Sequence, residues 1–413
     1  MKFEYRGVEN ALTLDFRRTI RVPDNKRDTN LLPPDLGQFP IYLVQDYINQ
    51  VPAEVAVKSG IFFTMYQREA MWINFAARLP FAVRVFVGGI NAVSGEPMDK
   101  RRNDVRERGE SAQDYMVVPG QPWLDGIVCE DGKIRQFVAQ PKDNGFSVET
   151  QVTGEDAVGG IQIEIIPIKC VVPRQIEVLY KNAKRKSISR KIDLEKIGLG
   201  PSSTWKELKP VLQLEFGIPV DRQVLYPHVG WNHYLPIRDD DELNKYYFAP
   251  GFVLGLSHDP RDARLPQPFF TNGMTQHGTG DTITIKQTIV KDPNPADKWD
   301  MNAAILFHVH ILDTAMFAAV TRKQVPKSPI SAKTYAEHAS PFFAIWGEEP
   351  TGIKGNFDKV KSIAELEELR AKANGTTYVE EETVPQRVAI IGTYKSTFKP
   401  VGIPTRALAR VQI

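Results

Sequence analysis

The stretch that most constrains the fold is Gln113 to Pro167. Short β-rich runs, Tyr115 to Val118, Ile134 to Ala139 and Ile161 to Ile166, alternate there with Pro, Gly, Asn and Asp. β-branched and aromatic residues suit a pleated surface and Pro and Gly interrupt it, so the pattern predicts short strands joined by turns rather than long helices. The 30 prolines among 413 residues extend that expectation to the whole chain. No cluster of His, Cys, Ser and carboxylate stands in this stretch at a spacing that chemistry requires.

A chain of 413 residues has room for two or three domains with cores of ordinary size. The 52 basic residues nearly balance the 50 acidic ones, which argues against a general nucleic-acid partner. Cys129 and Cys170 are too few for a disulfide framework and lack metal-ligand spacing, so two thiols are expected. The opening MKFEYRGVEN carries charge where a signal peptide is apolar. No apolar run approaches the ~18 residues of a membrane span, so membrane insertion is not expected.

In chain order, Lys2 to Val22 alternates apolar and charged residues and predicts one or two strands. The Pro-rich segment Asp24 to Pro40 predicts an irregular covering arm, and Gln45 to Val51 a short strand or turn. Phe63, Met65, Trp72, Phe75, Val83, Val85 and Val87 mark period-two strands. Arg68 and Glu69 inside this region are expected as a solvated edge pair, because such charges are rarely buried. Lys100 to Glu110 mixes both signs and reads as a solvated loop. Trp123, between Pro122 and Asp125-Gly126, predicts a rigid turn carrying one packed ring. Gly154, Gly159 and Gly160 lack the Lys-Ser or Lys-Thr of a phosphate loop and read as turn or bulge glycines before a strand.

The strings MYQREAMWINF (65–75), QDYMVVPGQPWLDGI (113–127), IRQFVAQP (134–141) and VETQVTGEDAVGGIQIEIIP (148–167) resemble a family of uncharacterised bacterial and fungal proteins. A later region, 299–349, is similar to the same family's second half. Fungal members include a crystal-forming protein of the vacuole. The resemblance therefore implies self-association into an ordered lattice, a vacuolar location with a cytoplasmic alternative, and no established catalytic residues.

Arg174 to Leu256 reads as a hairpin, then a helix ending at Gly217-Ile218-Pro219, then a strand and a final apolar strand. Trp205, Leu208, Leu212 and Phe216 share one helical face, and Ser203 is the expected N-cap, with Lys206 where a capping box would place Glu. This order is similar to ubiquitin and its β-grasp relatives, without a terminal Gly-Gly, so conjugation is not expected. The basic turn Lys181 to Arg190 is expected as a solvated hairpin tip.

Beyond the linker Asp259 to Gly280, Thr282 to Val290 predicts a strand. Ala304 to Leu312 predicts another, with His308 and His310 on one face. Two such histidines can ligate a metal, but no third ligand stands near in sequence, so a core or interface role is expected. Thr314 to Arg322 and Ser362 to Ala373 predict helices, the second capped by Ser362 with Glu365. The tail Arg387 to Val401 returns to strand patterning and is expected to close a sheet.

The expected architecture is mainly β with an α+β insertion: an antiparallel β-sandwich-like main domain from residues 1–170 and 258–413, and a ubiquitin-like β-grasp module at 171–257. Two functional classes follow. The expected one is a non-enzymatic self-assembling protein, its partner a second copy of itself, with no cofactor. Cys129, Cys170, His228, Trp231 and His233 are its candidate contacts. The alternative is an enzyme or small-ligand binder whose site forms only on folding, with Arg68, Glu69, Asp114, Trp123 and Asp125 as candidates.

Overall fold

The computed structural model describes residues 1–22, 32–100, 113–129, 133–142, 144–181, 187–229, 237–249, 251–258, 285–338, 341–346, 351–353, 355–357, 359–378 and 387–392. Two large sheets dominate. The first runs in the order β1 (Lys2–Tyr5), β2 (Val8–Thr19), β5 (Ala70–Ala77), β11 (Lys133–Val138), β10 (Gly126–Val128), with β9 (Trp123–Leu124) beside β5 and β17 (Ile285–Lys286) beside β11. The second runs β3 (Tyr42–Leu43), β4 (Ile61–Thr64), β18 (Ile305–Leu312), β12 (Ile161–Pro167), β6 (Phe81–Val87), β7 (Ile90–Asn91), with β8 (Met116–Val118) beside β6.

Period-two patterning explains how the sheets meet. On β2, Leu12, Leu14 and Phe16 are fully buried, while Thr13, Asp15 and Arg17 between them keep some exposure. Phe16 meets Phe63 of β4 at 5.2 Å between ring centroids, and Phe3 of β1 meets Phe307 of β18 at 5.7 Å, so side chains of the two sheets share one core. Fully burying one such ring stabilises by about 1.5–3 kcal/mol. The arm also contributes: residues 32–40 lie along β2 through the pairs Arg18–Gly37 and Phe39–Phe16, and Phe39 stacks on Phe63 at 4.8 Å.

β12 departs from simple alternation, for all seven of its residues are buried. Its Ile161, Ile163 and Ile165 share one face, and the opposite face carries Gln162 and Glu164 with protein over it. Gln162 accepts from Gly89 N (2.8 Å) and donates to Gly159 O (2.7 Å), and Glu164 faces Arg84 across the β6–β12 register. Polar side chains can be buried here because each has a partner.

Both sheets were expected to be antiparallel. The second carries one parallel pairing, Val309 to Ile61 between β18 and β4. Parallel neighbours need a long crossover, and the chain between these strands supplies it.

A third sheet runs β14 (Ser187–Asp193), β13 (Gln175–Lys181), β16 (Val253–Ser257), β15 (Val224–Val229), with β16 parallel to β13. The helices are α1 (Ala53–Lys58), α2 (Val148–Thr153), α3 (Trp205–Phe216), α4 (Thr314–Thr321), α5 (Ala332–Glu337) and α6 (Ile363–Ala373). Helix α3 lies between β14 and β15 in sequence and buries Trp205, Leu208 and Leu212. Its N-cap is Thr204, not Ser203. The shift of one residue puts Glu207 rather than Lys206 at the third helical position, and Thr204 and Glu207 form a reciprocal capping box.

Helix α6 has the expected box between Ser362 and Glu365, and Asp313 caps α4. Helix α2 interrupts a region read as strands and turns. Ser147 accepts from Thr150 N and Gly154 ends the helix in the left-handed conformation, so local caps outweigh β propensity there. Among the described residues the tail strand β20 (Arg387–Gly392) does not join a large sheet. It pairs in parallel with β19 (Pro341–Trp346), and the tail after residue 392 lies outside the described residues, as do 23–31 of the arm, 101–112 of the mixed-charge loop and 182–186 of the basic turn.

Candidate functional site

Between β5 and β11 of the first sheet and β12 and β18 of the second lies a cavity of about 590 Å³ that opens to solvent on one side. Met71, Ile134, Phe137, Ile161 and Leu312, buried residues of these four strands, supply apolar wall. Segments 140–160, which carries α2, and 360–363, which leads into α6, complete it together with Val55 and Lys58 of α1 and Met316 of α4.

The polar wall is built on α2. Glu149 is buried, and its carboxylate accepts from Val158 N (2.6 Å) and Gly159 N (2.7 Å). Gly159 and Gly160 both have positive φ, 65° and 62°, and a Cβ on Gly160 would stand 2.7 Å from the Val309 carbonyl oxygen. The turn reading of these glycines is therefore right, and the turn additionally presents amides to a buried acid. Ser147 Oγ donates to Asp156, and Lys58 Nζ donates to Val158 O at 2.7 Å. At the exposed rim Lys142 pairs with Glu54 at 3.2 Å.

The 360–363 segment is strapped down by side chains. Arg135 of β11 donates to Val360 O, Lys361 N donates to Gln151 Oε1 (2.6 Å), and Arg370 of α6 stacks its guanidinium on Phe146 at 4.2 Å. Among the described residues the Arg135 guanidinium makes that one hydrogen bond and the Lys361 ammonium makes none, and Gln140 Nε2 is buried without a partner.

The residues singled out in sequence are dispersed, and none of Arg68, Glu69, Asp114, Trp123 and Asp125 lines the cavity. Glu69 overturns the solvated-pair expectation: it is 3% exposed and binds Arg18 Nε at 2.6 Å and Tyr66 N at 2.8 Å. Burial pushes its carboxyl above the ordinary carboxylate range despite those donors. Its neighbour Arg68 has left-handed φ and pairs instead with Glu367 of α6. Asp114 accepts from buried Arg84 at 3.2 Å. Trp123 lies on a short strand rather than in a turn, and its Nε1 donates to Asp125 at 2.9 Å.

Cys170 is buried and burial pushes its thiol up to about 11, whereas Cys129 is half-buried. His228 lies on β15. Trp231 and His233 lie outside the described residues. His308 and His310 do share a face, with rings 5.9 Å apart and nearly parallel. His310 also lines the cavity, and since a carbonyl only accepts, its Nε2–H donates to Ser59 O at 2.8 Å. Burial holds both imidazoles below their ordinary value. Among the described residues no group of three metal-ligating side chains forms, and no helix is long and apolar enough to cross a membrane.

Sequence reasoning missed Glu149, Gln151, Arg135 and Gln140. The one local signal was the Gly159-Gly160 pair following an acid on a short capped segment.

No family profile matches this chain, and no curated protein does. Among solved structures, a designed protein based on ubiquitin is similar over 21% of this chain and 90% of its own, at 17% identity with a TM-score of 0.15.

Proposed function

We propose that the protein is a non-enzymatic binding protein that holds a small, mostly apolar molecule in the cavity between its large sheets. The cavity carries this reading: about 590 Å³ falls within the roughly 300–1,000 Å³ of small-molecule sites, with apolar walls and a few polar groups. The candidate nucleophile and bases on its wall are tied to structural partners, Ser147 to Asp156 and Glu149 to two backbone amides, which supports binding over chemistry. The test is uptake of a neutral apolar dye, N-phenyl-1-naphthylamine, by wild type and by Ile161→Trp, which fills the space. Saturable uptake lost in the variant is expected. No uptake by folded wild type would defeat the reading.

A second reading rests on the family resemblance of segments 65–75, 113–127, 134–141, 148–167 and 299–349. In it the protein resembles octin of zygomycete fungi and self-assembles into vacuolar crystals with a gravity-sensing, statolith role. The two large sheets then form a sandwich-like scaffold, and 171–257 is an inserted ubiquitin-like module. The outward-facing residues of β14 and the side chain of Leu214, 86% exposed on α3, are available as contacts in support. His228, Trp231 and His233 are its acid-sensitive contacts, and Cys129 is the thiol nearer solvent. Light scattering at high protein concentration should rise between pH 7 and 5, and a flat small-oligomer signal would remove this reading.

A further inference from the structure

The hydrogen-bonding groups around the cavity are unevenly committed. Its lining holds five Lys or Arg against four Asp or Glu. Each acid already has a donor: Glu149 takes two amides, Asp156 takes Ser147, Asp313 takes Met316 N at the cap of α4, and Glu54 takes Lys142. Among the bases, Lys58 and Lys142 are likewise engaged. The donors that remain uncommitted are the buried Gln140 Nε2, the remaining N–H groups of Arg135, and the Lys361 ammonium at the exposed mouth. Arg135 and Lys361 both border the cavity at the 360–363 segment, where Arg135 is anchored on Val360, the residue before Lys361.

From this we infer that the cavity binds an aliphatic monocarboxylate, with its carboxylate at Arg135 and Lys361 and its hydrocarbon chain along the walls made by Met71, Ile134, Ile161 and Leu312. The inference rests on the cavity reading given above. A carboxylate offers only acceptors, about four lone-pair sites on two oxygens, and so complements a set of leftover donors. Hydrogen bonds from guanidinium or ammonium to carboxylate are about twice as strong as neutral ones. An alkylammonium would bring a third cation beside Arg135 and Lys361, and an alcohol would gain the apolar contacts without the charge-assisted bonds.

The experiment is calorimetric titration of the full chain with dodecanoate, dodecanol and dodecylammonium, each below its micelle concentration, alongside Lys361→Met and Arg135→Met. Dodecanoate should bind at least ten-fold more tightly than dodecanol, and dodecylammonium more weakly than either. Lys361→Met removes no hydrogen bond of the fold and should lower dodecanoate affinity about five-fold or more while leaving dodecanol within two-fold. Arg135→Met should lower it further, but its tie to Val360 makes the Lys361 variant and the wild-type series the deciding measurements. Dodecanol binding as tightly as dodecanoate, or dodecanoate binding unchanged in Lys361→Met, would overturn the carboxylate assignment while the cavity reading stands. Failure of all three ligands together with the neutral dye would overturn both.

Discussion

Arg84→Met tests whether a buried charge network holds the second sheet together. Arg84 is 1% exposed on β6, with Nε 3.2 Å from Asp114 Oδ1 and Nη1 2.9 Å from Glu164 Oε2. Its cross-strand neighbour on β12 is Glu164, and both acids are themselves buried. Replacing the guanidinium by a thioether of similar length keeps most of the packing and leaves two buried carboxylates without their shared cation. Breaking a buried pair in this way costs about 3–5 kcal/mol, chiefly through the charge left behind. Arg84 Nη2 is buried without a partner, so desolvation of the arginine is incompletely offset and the lower part of that range, about 3–4 kcal/mol, is expected. With an unfolding entropy of about 2.1 cal/mol/K per residue over 413 residues, the melting temperature should fall by roughly 3–5 °C if the chain unfolds as one unit. Calorimetry and urea titration of the single variant would be set beside Arg84→Met/Asp114→Asn/Glu164→Gln, in which none of the three positions is charged. The triple variant should recover at least half of the loss. A single variant melting within 1 °C of wild type, or a triple variant no more stable than the single, would refute the reasoning.

Glu69→Gln should flatten part of the pH dependence of stability. Burial raises the Glu69 carboxyl in the fold, so its contribution is fully present below the unfolded value of about 4.3 and is lost as pH rises through the higher folded value. A difference in urea midpoint between wild type and variant that is constant across that window would contradict this. His310→Gln acts in the opposite sense. Burial depresses the imidazole, so wild type loses stability as pH falls below about 6.5, and a glutamine that can still donate to Ser59 O should lessen that loss between pH 6.5 and 5. Equal acid sensitivity of the two proteins would count against it. Gly126→Ala places a Cβ 1.7 Å from the Arg135 carbonyl oxygen across the β10–β11 pairing, where both partners are backbone. About 3 kcal/mol or more should be lost, and a melting temperature within 2 °C of wild type would show that the strands part freely there.

Much of the local structure is legible in residue order. The runs at 115–118, 134–139 and 161–166 are strands within a residue or two, the helix at Ser362 has its predicted capping box, and Trp205, Leu208 and Leu212 turn inward together on α3. Strand alternation, helical spacing and N-caps all act between residues a few positions apart, so a single sequence displays them. The error at the start of α3 was of the same local kind: Thr204 with Glu207 satisfies both ends of a capping box, and Ser203 with Lys206 does not.

Other features have no local sign. Glu69 reads as a surface charge until Arg18 and the Tyr66 amide are brought to it, and Glu149 reads as an ordinary helical acid until the turn at Gly159 closes on it. The parallel pairing of β4 with β18 depends on strands far apart in the chain. The cavity is a property of no element at all. It is the space left where four strands from two sheets meet helices α1 and α4 and the segments that lead through α2 and into α6. Its volume and its uncommitted hydrogen-bond donors were set by the way those surfaces pack, whereas the residue order determined which surfaces were apolar and which turns could present their amides.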